Sequence, residues 1–251
     1  MDYRYAGPLI AIGLLLVSAA TVYGAWAIPI AWLGCDLTAV GCAYLGKGHR
    51  IFGKSVDGKL ALWSRLFFLP YFALASALWH VVRIVSEERA CNLVQENLVI
   101  GRRLLPREIP NRFVNYVDLT AELEDPAVIR SLPGYLAFPI LDASAPDAES
   151  LRRAVQRLRP GMTFIHCAQG HGRTGLFAVA LLLSTGAVKT ATEGLALVQR
   201  ARPGIRLSPE QRRCLDRYAA LISRAQGGVG ASESAASSAG TRSLNTASNS
   251  P

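Results

Sequence analysis

From Tyr5 to Cys35 no side chain carries a charge. A run of that length has two homes, the interior of a large core or a lipid bilayer, and this constrains the fold before any motif is considered. Asp36 interrupts it, apolar residues resume to Leu45, and a second apolar stretch runs from Leu60 to Val85. Leu9–Leu33 exceeds the roughly 20 residues that a helix needs to cross a bilayer. Two spans, about 7–26 and 28–45 with a turn near Pro29, place Asp36 deep in lipid at a cost of about 3 kcal/mol. One tilted span ending before Asp36 avoids that cost, and both arrangements stay open. Ala25-Trp26-Ala27 has the small-x-small form of a signal-peptidase site. Against cleavage, Asp2 and Arg4 cancel and apolar sequence continues beyond the cut.

The net charge of +9 is unevenly distributed. Residues 1–86 hold seven Lys and Arg against three Asp and Glu, and residues 87–225 hold 19 against 14. No segment has the dense basic face of a nucleic-acid binder. The excess suits an anionic membrane surface, an anionic substrate or solubility alone. Lys47, Arg50, Lys54 and Lys59 form a basic loop that the positive-inside rule assigns to the cytoplasm. Leu60–Val85 is borderline for spanning and equally suits a re-entrant or interfacial helix. If it stays on the cytoplasmic side, so does everything after it. A reducing compartment, where a reactive thiol persists, supports the same side.

Three regions follow: a membrane region over 1–86, with one or two spanning helices within 7–45 and a membrane-associated helix at about 60–85; a soluble domain over 87–225; and a disordered tail over 226–251. The tail is nearly all Gly, Ala, Ser, Thr and Asn, too polar to offset its ordering entropy. The soluble region alternates strand and helix. Strands are expected at Leu98–Ile100, Phe113–Leu119, Tyr135–Leu141 and Met162–His166. Helices are expected at Ala148–Leu158 and Thr174–Thr185, and at about 190–201 and 208–224. A short helix opens at Asp125-Pro126, with Asp as its cap. This order predicts an α/β fold, a central sheet flanked by helices.

His166-Cys167-Ala168-Gln169-Gly170-His171-Gly172-Arg173-Thr174-Gly175 lies between a predicted strand and a predicted helix. The glycines let the backbone turn its N–H groups toward one point at a helix N-terminus, which binds a phosphate dianion without a metal or cofactor. The same dipole favours a thiolate at Cys167. Ala168, Gln169, Gly170, His171 and Gly172 supply the amides, and the planar fork of Arg173 grips two phosphate oxygens. Thr174 offers its hydroxyl to the departing thiolate, and His166 orients the loop from behind. A proton donor for the leaving oxygen is also needed. Asp142, just after a strand, is the first candidate and Asp147 the second, although Asp147 also suits a helix cap. Cys35, Cys42, Cys91 and Cys214 lack such surroundings, and no Cys/His spacing suits zinc.

His166-Cys167-x-x-Gly170-x-x-Arg173-Thr174 resembles the signature of cysteine-based protein tyrosine phosphatases, and the domain size is similar to the dual-specificity branch. Asn97–Arg102, Val117-Asp118-Leu119-Thr120 and Phe138-Pro139-Ile140-Leu141-Asp142 resemble that branch too, so the likeness covers about 95–222. It implies a phosphocysteine on Cys167, phosphate binding by Arg173 and the loop amides, and Asp142 as acid and then base. Arg202-Pro203-Gly204 and Gln211 resemble a later segment that positions the hydrolytic water. It implies a phosphorylated protein as substrate, or alternatively a phospholipid such as phosphatidylglycerophosphate or a monophosphoinositide. The membrane region favours lipid, while Ala168, Gln169 and His171 supply no Lys for the extra phosphates of a polyphosphoinositide. A non-catalytic phosphate-binding module is the third reading.

Overall fold

A computed structural model describes residues 3–46, 48–109 and 113–224. The tail expected at 226–251 lies outside the described residues. The apolar N-terminus forms α1 (Tyr3–Tyr23) and α2 (Ile28–Leu45), joined by a 3-10 turn at Gly24–Ala27. Gly24 sits at φ +68°, a conformation that glycine adopts without strain, and Pro29 opens α2. The two helices pack antiparallel and very closely: a Cβ at Gly34 would lie 2.6 Å from the Gly13 carbonyl oxygen. Arg4–Leu45 is long and apolar enough to cross a membrane, and 11% of its most apolar window is buried inside the protein. Most of that window therefore faces away from the rest of the protein.

Two further apolar helices follow, α3 (Leu62–Phe67) and α4 (Leu69–Val85). The Asp36 carboxylate accepts the Tyr71 backbone N–H at 3.2 Å, which satisfies one of the free donors at the start of α4. The segment between α2 and α3 is folded onto the rest of the chain. Phe52, Leu60 and Phe68 share a buried apolar cluster with Val40 of α2 and with Ala121 and Leu141. Lys54 is fully buried, with Nζ donating to Asp118 Oδ2 (2.6 Å), Thr120 O (2.7 Å) and Leu123 O (2.6 Å). This corrects the charge count of the basic loop, because the Lys54 charge is spent on a buried carboxylate and is not offered to a membrane surface.

The remainder is a mixed five-stranded sheet flanked by helices, the α/β architecture expected. Its strands are β1 (Cys91–Gln95), β2 (Leu98–Arg102), β3 (Asn115–Thr120), β4 (Tyr135–Ile140) and β5 (Thr163–Cys167), in the order β1-β2-β5-β3-β4. Only β1–β2 is antiparallel. β3 and β5 are buried along their whole length, which is why they read as unbroken β-rich runs. The helices are α5 (Ala127–Arg130), α6 (Ala148–Gln156), α7 (Gly172–Ser184), α8 (Ala191–Ala201) and α9 over 209–224. Helix α6 buries Ala148, Leu151, Ala154 and Val155, the three-and-four spacing of a one-faced helix. Helix α7 is buried nearly all round, so it carries its first residues, Arg173 and Thr174, into the interior. The register sets Arg102 of β2 and Asp118 of β3 beside Cys167 and His166 at the carboxyl end of β5, where an open α/β sheet has its crevice. The short helix α5 differs from expectation: its cap is Pro126, and Asp125 turns inward to His166 and Arg103. An ion partner in the interior outcompetes a cap on a helix of one turn.

Candidate active site

Strand β5 ends at Cys167 and α7 starts at Gly172, so residues 168–171 must reverse the chain within four positions. Gly170 makes the reversal at φ +77°, and a Cβ there would collide with the Gly101 carbonyl on β2. The loop carbonyls are pinned one by one. Cys167 O accepts from Arg103 N at 2.9 Å, Ala168 O from Trp79 Nε1 at 3.0 Å, and Gln169 O from Arg202 Nη2 at 2.9 Å. In a planar trans peptide the N–H points opposite to the C=O. Pinning these three carbonyls outward therefore turns the N–H groups of Ala168, Gln169 and Gly170 inward. The Gly170 N–H accordingly donates to Cys167 Sγ at 3.2 Å.

Arg173 is buried beside this nest. Its Nη1 and Nη2 each donate to a Glu122 carboxylate oxygen at 2.8 Å, Nη1 also reaches Ile140 O (3.0 Å), and Nη2 lies 3.2 Å from Asp142 Oδ1. Burial works against the guanidinium charge, but Glu122 and then Asp142 outweigh it and raise Arg173 well above its ordinary range. Arg173 Nε and Thr174 Oγ1 are buried without a hydrogen-bond partner among the described residues. Such donors cost about 1–3 kcal/mol each until they are satisfied, and phosphoryl oxygens are suitable acceptors.

The two candidate acids separate. The Asp142 side chain is 73% exposed at the edge of the site, next to Arg173. Asp147 caps α6, with Oδ1 accepting the Ser150 N–H at 2.8 Å; that hydrogen bond holds its carboxyl below the usual range. The turn after Asp142 is strained, since Ala143 sits at φ +56° without being glycine. It is held there by Ser208 Oγ donating to Ala143 O (2.6 Å) and Gln211 Nε2 donating to Ser144 O (3.1 Å). The buried Gln211 amide also abuts Gly172, where a Cβ would lie 2.8 Å from Oε1. Gln211 thus links the Asp142 turn to the 168–172 loop. A cleft of about 690 Å³ lies on the far side of that turn, lined by Tyr44, Arg50, Leu141, Asp147, Arg213 and Arg217 among others. It does not reach Cys167.

His166 lies behind the loop, fully buried, with Nε2 3.0 Å from Asp125 Oδ2. Burial alone would lower its affinity for a proton; Asp125 and then Asp118 more than compensate, and the net shift is upward. Asp118, Asp125 and His166 are close enough together to hold a metal ion. Their charge is already balanced by the Lys54 ammonium on Asp118 and by Arg103 Nε, 3.2 Å from Asp125 Oδ1, so the donor set fits an organic cation pair better than a metal.

The structure brings together Cys167, residues 168–172, Arg173, Thr174, Asp142 and Gln211, sets His166 behind them, and leaves Asp147 on its helix. His171 faces outward, with Nε2 2.8 Å from Glu88 Oε2. Glu88 also receives Arg202 at 2.7 Å, tying α8's end to the loop. Glu122, Arg103 and Trp79 were not foreseen. Glu122 follows a strand, the one clue available. Trp79 sits inside an apolar run with nothing to distinguish it.

No family model matches the chain, and no curated relative matches it. Among solved structures, Tk-PTP in its active form is similar over 52% of this chain and 96% of its own, at 26% identity and a TM-score of 0.47. PTPMT1 in complex with PI(5)P is similar over 55% of this chain and 99% of its own, at 13% identity and a TM-score of 0.46. Human DUSP28 is similar over 54% and 97%, at 17% identity and a TM-score of 0.43. About half of this chain thus accounts for nearly the whole of each solved domain. What the site can do rests on its own residues.

Proposed function

We propose that the chain hydrolyses phosphate monoesters through a phosphocysteine on Cys167. One observation carries this reading: the Cys167 sulfur accepts a loop amide, and the same loop runs into the buried Arg173 guanidinium with Asp142 at its edge. In the first step the Cys167 thiolate attacks phosphorus, the ester P–O bond breaks, and Asp142 gives its proton to the leaving oxygen. Arg173 and the inward amides carry the charge on the equatorial oxygens. In the second step Asp142 takes a proton from water, which attacks phosphorus, and the thiolate departs with the Thr174 hydroxyl as its hydrogen-bond donor. Gln211, held by the Ser144 carbonyl and the Ser208 N–H beside Gly172, is the residue we assign to orienting that water. Arginine and amides supply the charge stabilisation that a divalent ion would otherwise give.

A phosphorylated protein side chain, of the dual-specificity type, is the first substrate reading. A phospholipid monoester is the second, and one observation favours it. Ala121 and Leu141, chain neighbours of Glu122 and Asp142, are buried against Val40, Phe52 and Phe68 of the N-terminal region. The edge of the site therefore adjoins the apolar helices; in this reading the chain is held at a membrane, and the basic loop and the reactive thiol support a cytoplasmic catalytic region.

The test uses the full chain. Cys167→Ser is expected to abolish turnover and to retain substrate, and EDTA is expected to leave the wild-type rate unchanged. Turnover by Cys167→Ser, or a requirement for a divalent ion, rejects the mechanism. Comparing kcat/KM for phosphotyrosine and phosphothreonine peptides with that for phosphatidylglycerophosphate in vesicles ranks the two substrate readings.

A further inference from the structure

Helix α4 has two faces of different fate. Trp79 is 2% exposed and packed inward, whereas Leu74, Leu78, Val81, Val82, Ile84 and Val85 are exposed, Ile84 by 72%. A polar outer face is the norm for a helix against a water-filled surroundings, and α4 has an apolar one. Between Arg65 and Arg83 the chain carries no acidic residue; Arg65, on α3, is paired with Glu124, and Arg83 lies in the last turn of α4. Exposed Leu62, Trp63, Leu66 and Phe67 of α3 extend the surface, and Trp32 Nε1 of α2 donates to Phe67 O at 2.6 Å. The exposed face is thus continuous with the helical pair that is long and apolar enough to cross a membrane. An apolar helix with an arginine in its last turn, joined to such a pair, fits the interfacial zone of a bilayer.

The inward face reaches the catalytic loop. Trp79 Nε1 donates to Ala168 O, 89 residues along the chain. The indole lies under the Arg103 guanidinium at 5.0 Å and the Arg83 guanidinium at 5.7 Å, and Arg103 in turn donates through its backbone N–H to Cys167 O. The Ala168 carbonyl has one other donor, the Arg103 N–H at 3.3 Å, so loss of the shorter Trp79 bond would loosen the 168–169 peptide plane and let the Gln169 N–H tilt away from the phosphate position. This single side chain therefore joins the exposed apolar helix to an amide of the anion nest.

We infer that α4 docks its apolar face in the bilayer and that Trp79 transmits this docking to the catalytic loop, as a positioning residue for the phosphate-binding amides. The inference rests on the reading of the loop as a phosphatase site. It makes the enzyme most active when seated on lipid, for a soluble ester as well as for a lipid one.

The experiment uses the full chain in phosphatidylcholine–phosphatidylglycerol nanodiscs, with p-nitrophenyl phosphate as substrate. Benzoylphenylalanine placed at position 81 should photocrosslink to lipid. The double variant Leu78→Asp/Val82→Asp should lose that crosslink and lower kcat about tenfold, a displaced donor costing less than the roughly 10²–10³ of a deleted one. Trp79→Phe keeps an aromatic ring but removes the donor. It should lower kcat and vanadate affinity to a similar extent while the crosslink and the thermal midpoint hold. Absence of a lipid crosslink in the otherwise wild-type chain overturns the docking. An unchanged kcat in either variant overturns the transmission. Failure of the phosphatase reading looks different: the wild-type chain then turns over no ester, while the crosslink still reports where α4 lies.

Discussion

The division of labour between Asp142 and Asp147 is decided by single hydrogen bonds. Asp147 is occupied by the Ser150 N–H, whereas Asp142 stands exposed beside Arg173. Asp142→Asn is expected to lower kcat by about 10²–10⁴-fold, the usual span for a lost general acid, with a larger loss for phenyl phosphate than for p-nitrophenyl phosphate. Asp147→Asn should leave kcat near wild type and cost at most about 1 kcal/mol in urea unfolding. The reverse pattern would exchange their roles. Glu122 holds Arg173 by two bonds in the interior, and Glu122→Ala leaves the buried guanidinium to Asp142 and the Ile140 carbonyl, at a cost of up to about 3–5 kcal/mol. A lowered thermal midpoint together with a raised KM would register both losses. Cys167, Arg173 and Thr174 were legible in the sequence because they are packed into one loop, and Asp142 because it ends a strand. Glu122 and Trp79 were not, since they act across separations of 51 and 89 residues that only folding closes.

At the level of elements, β3 and β5 are joined by buried charge as well as by their ladder. Lys54, Asp118, His166, Asp125 and Arg103 form a chain of contacts across the strand ends. The sequence disclosed the strands through their apolar runs but could not disclose this chain, because a lysine in a basic loop and an aspartate within a strand carry no sign of being partners. Its titration has two limbs. Burial pushes Asp118 upward, but Lys54 and His166 outweigh it, and its pKa ends below the ordinary 3.8. Its contribution is therefore present above 3.8 and lost as pH falls through the lowered value. His166 is raised, so its contribution is complete below the ordinary 6.5 and lost as pH rises through the raised value. The thermal midpoint should hold between about pH 4 and 6.5 and decline above, and His166→Gln should flatten the alkaline decline. A midpoint that rises from pH 6.5 to 8.5 in the wild type but not in His166→Gln would contradict the charged-imidazole assignment.

Over the whole molecule, the N-terminal region and the sheet domain share a boundary that composition alone set near residue 86. Across it run the Lys54 cluster of bonds, the Phe52–Leu141 apolar cluster and the Trp79–Ala168 bond. A fragment beginning at 87 keeps every strand and every proposed catalytic side chain, yet it strips Lys54 from Asp118 and uncovers Ala121 and Leu141. Removing the ammonium leaves the buried Asp118 with only Tyr135, Thr120 and the more distant His166, at a cost of up to about 3–5 kcal/mol, a large share of the roughly 5–15 kcal/mol that holds a domain folded. A fragment over 48–224 retains the Lys54 and Trp79 bonds and the Phe52–Leu141 contact, and loses Val40 of that cluster with the α1–α2 pair. The shorter fragment should therefore unfold at a markedly lower urea concentration than the longer one, and Lys54→Met in the longer fragment should reproduce most of the difference. Equal midpoints for the two fragments would mean that residues 48–86 merely rest on the catalytic domain; unequal ones make them part of its fold, and part of what shapes the loop around Cys167.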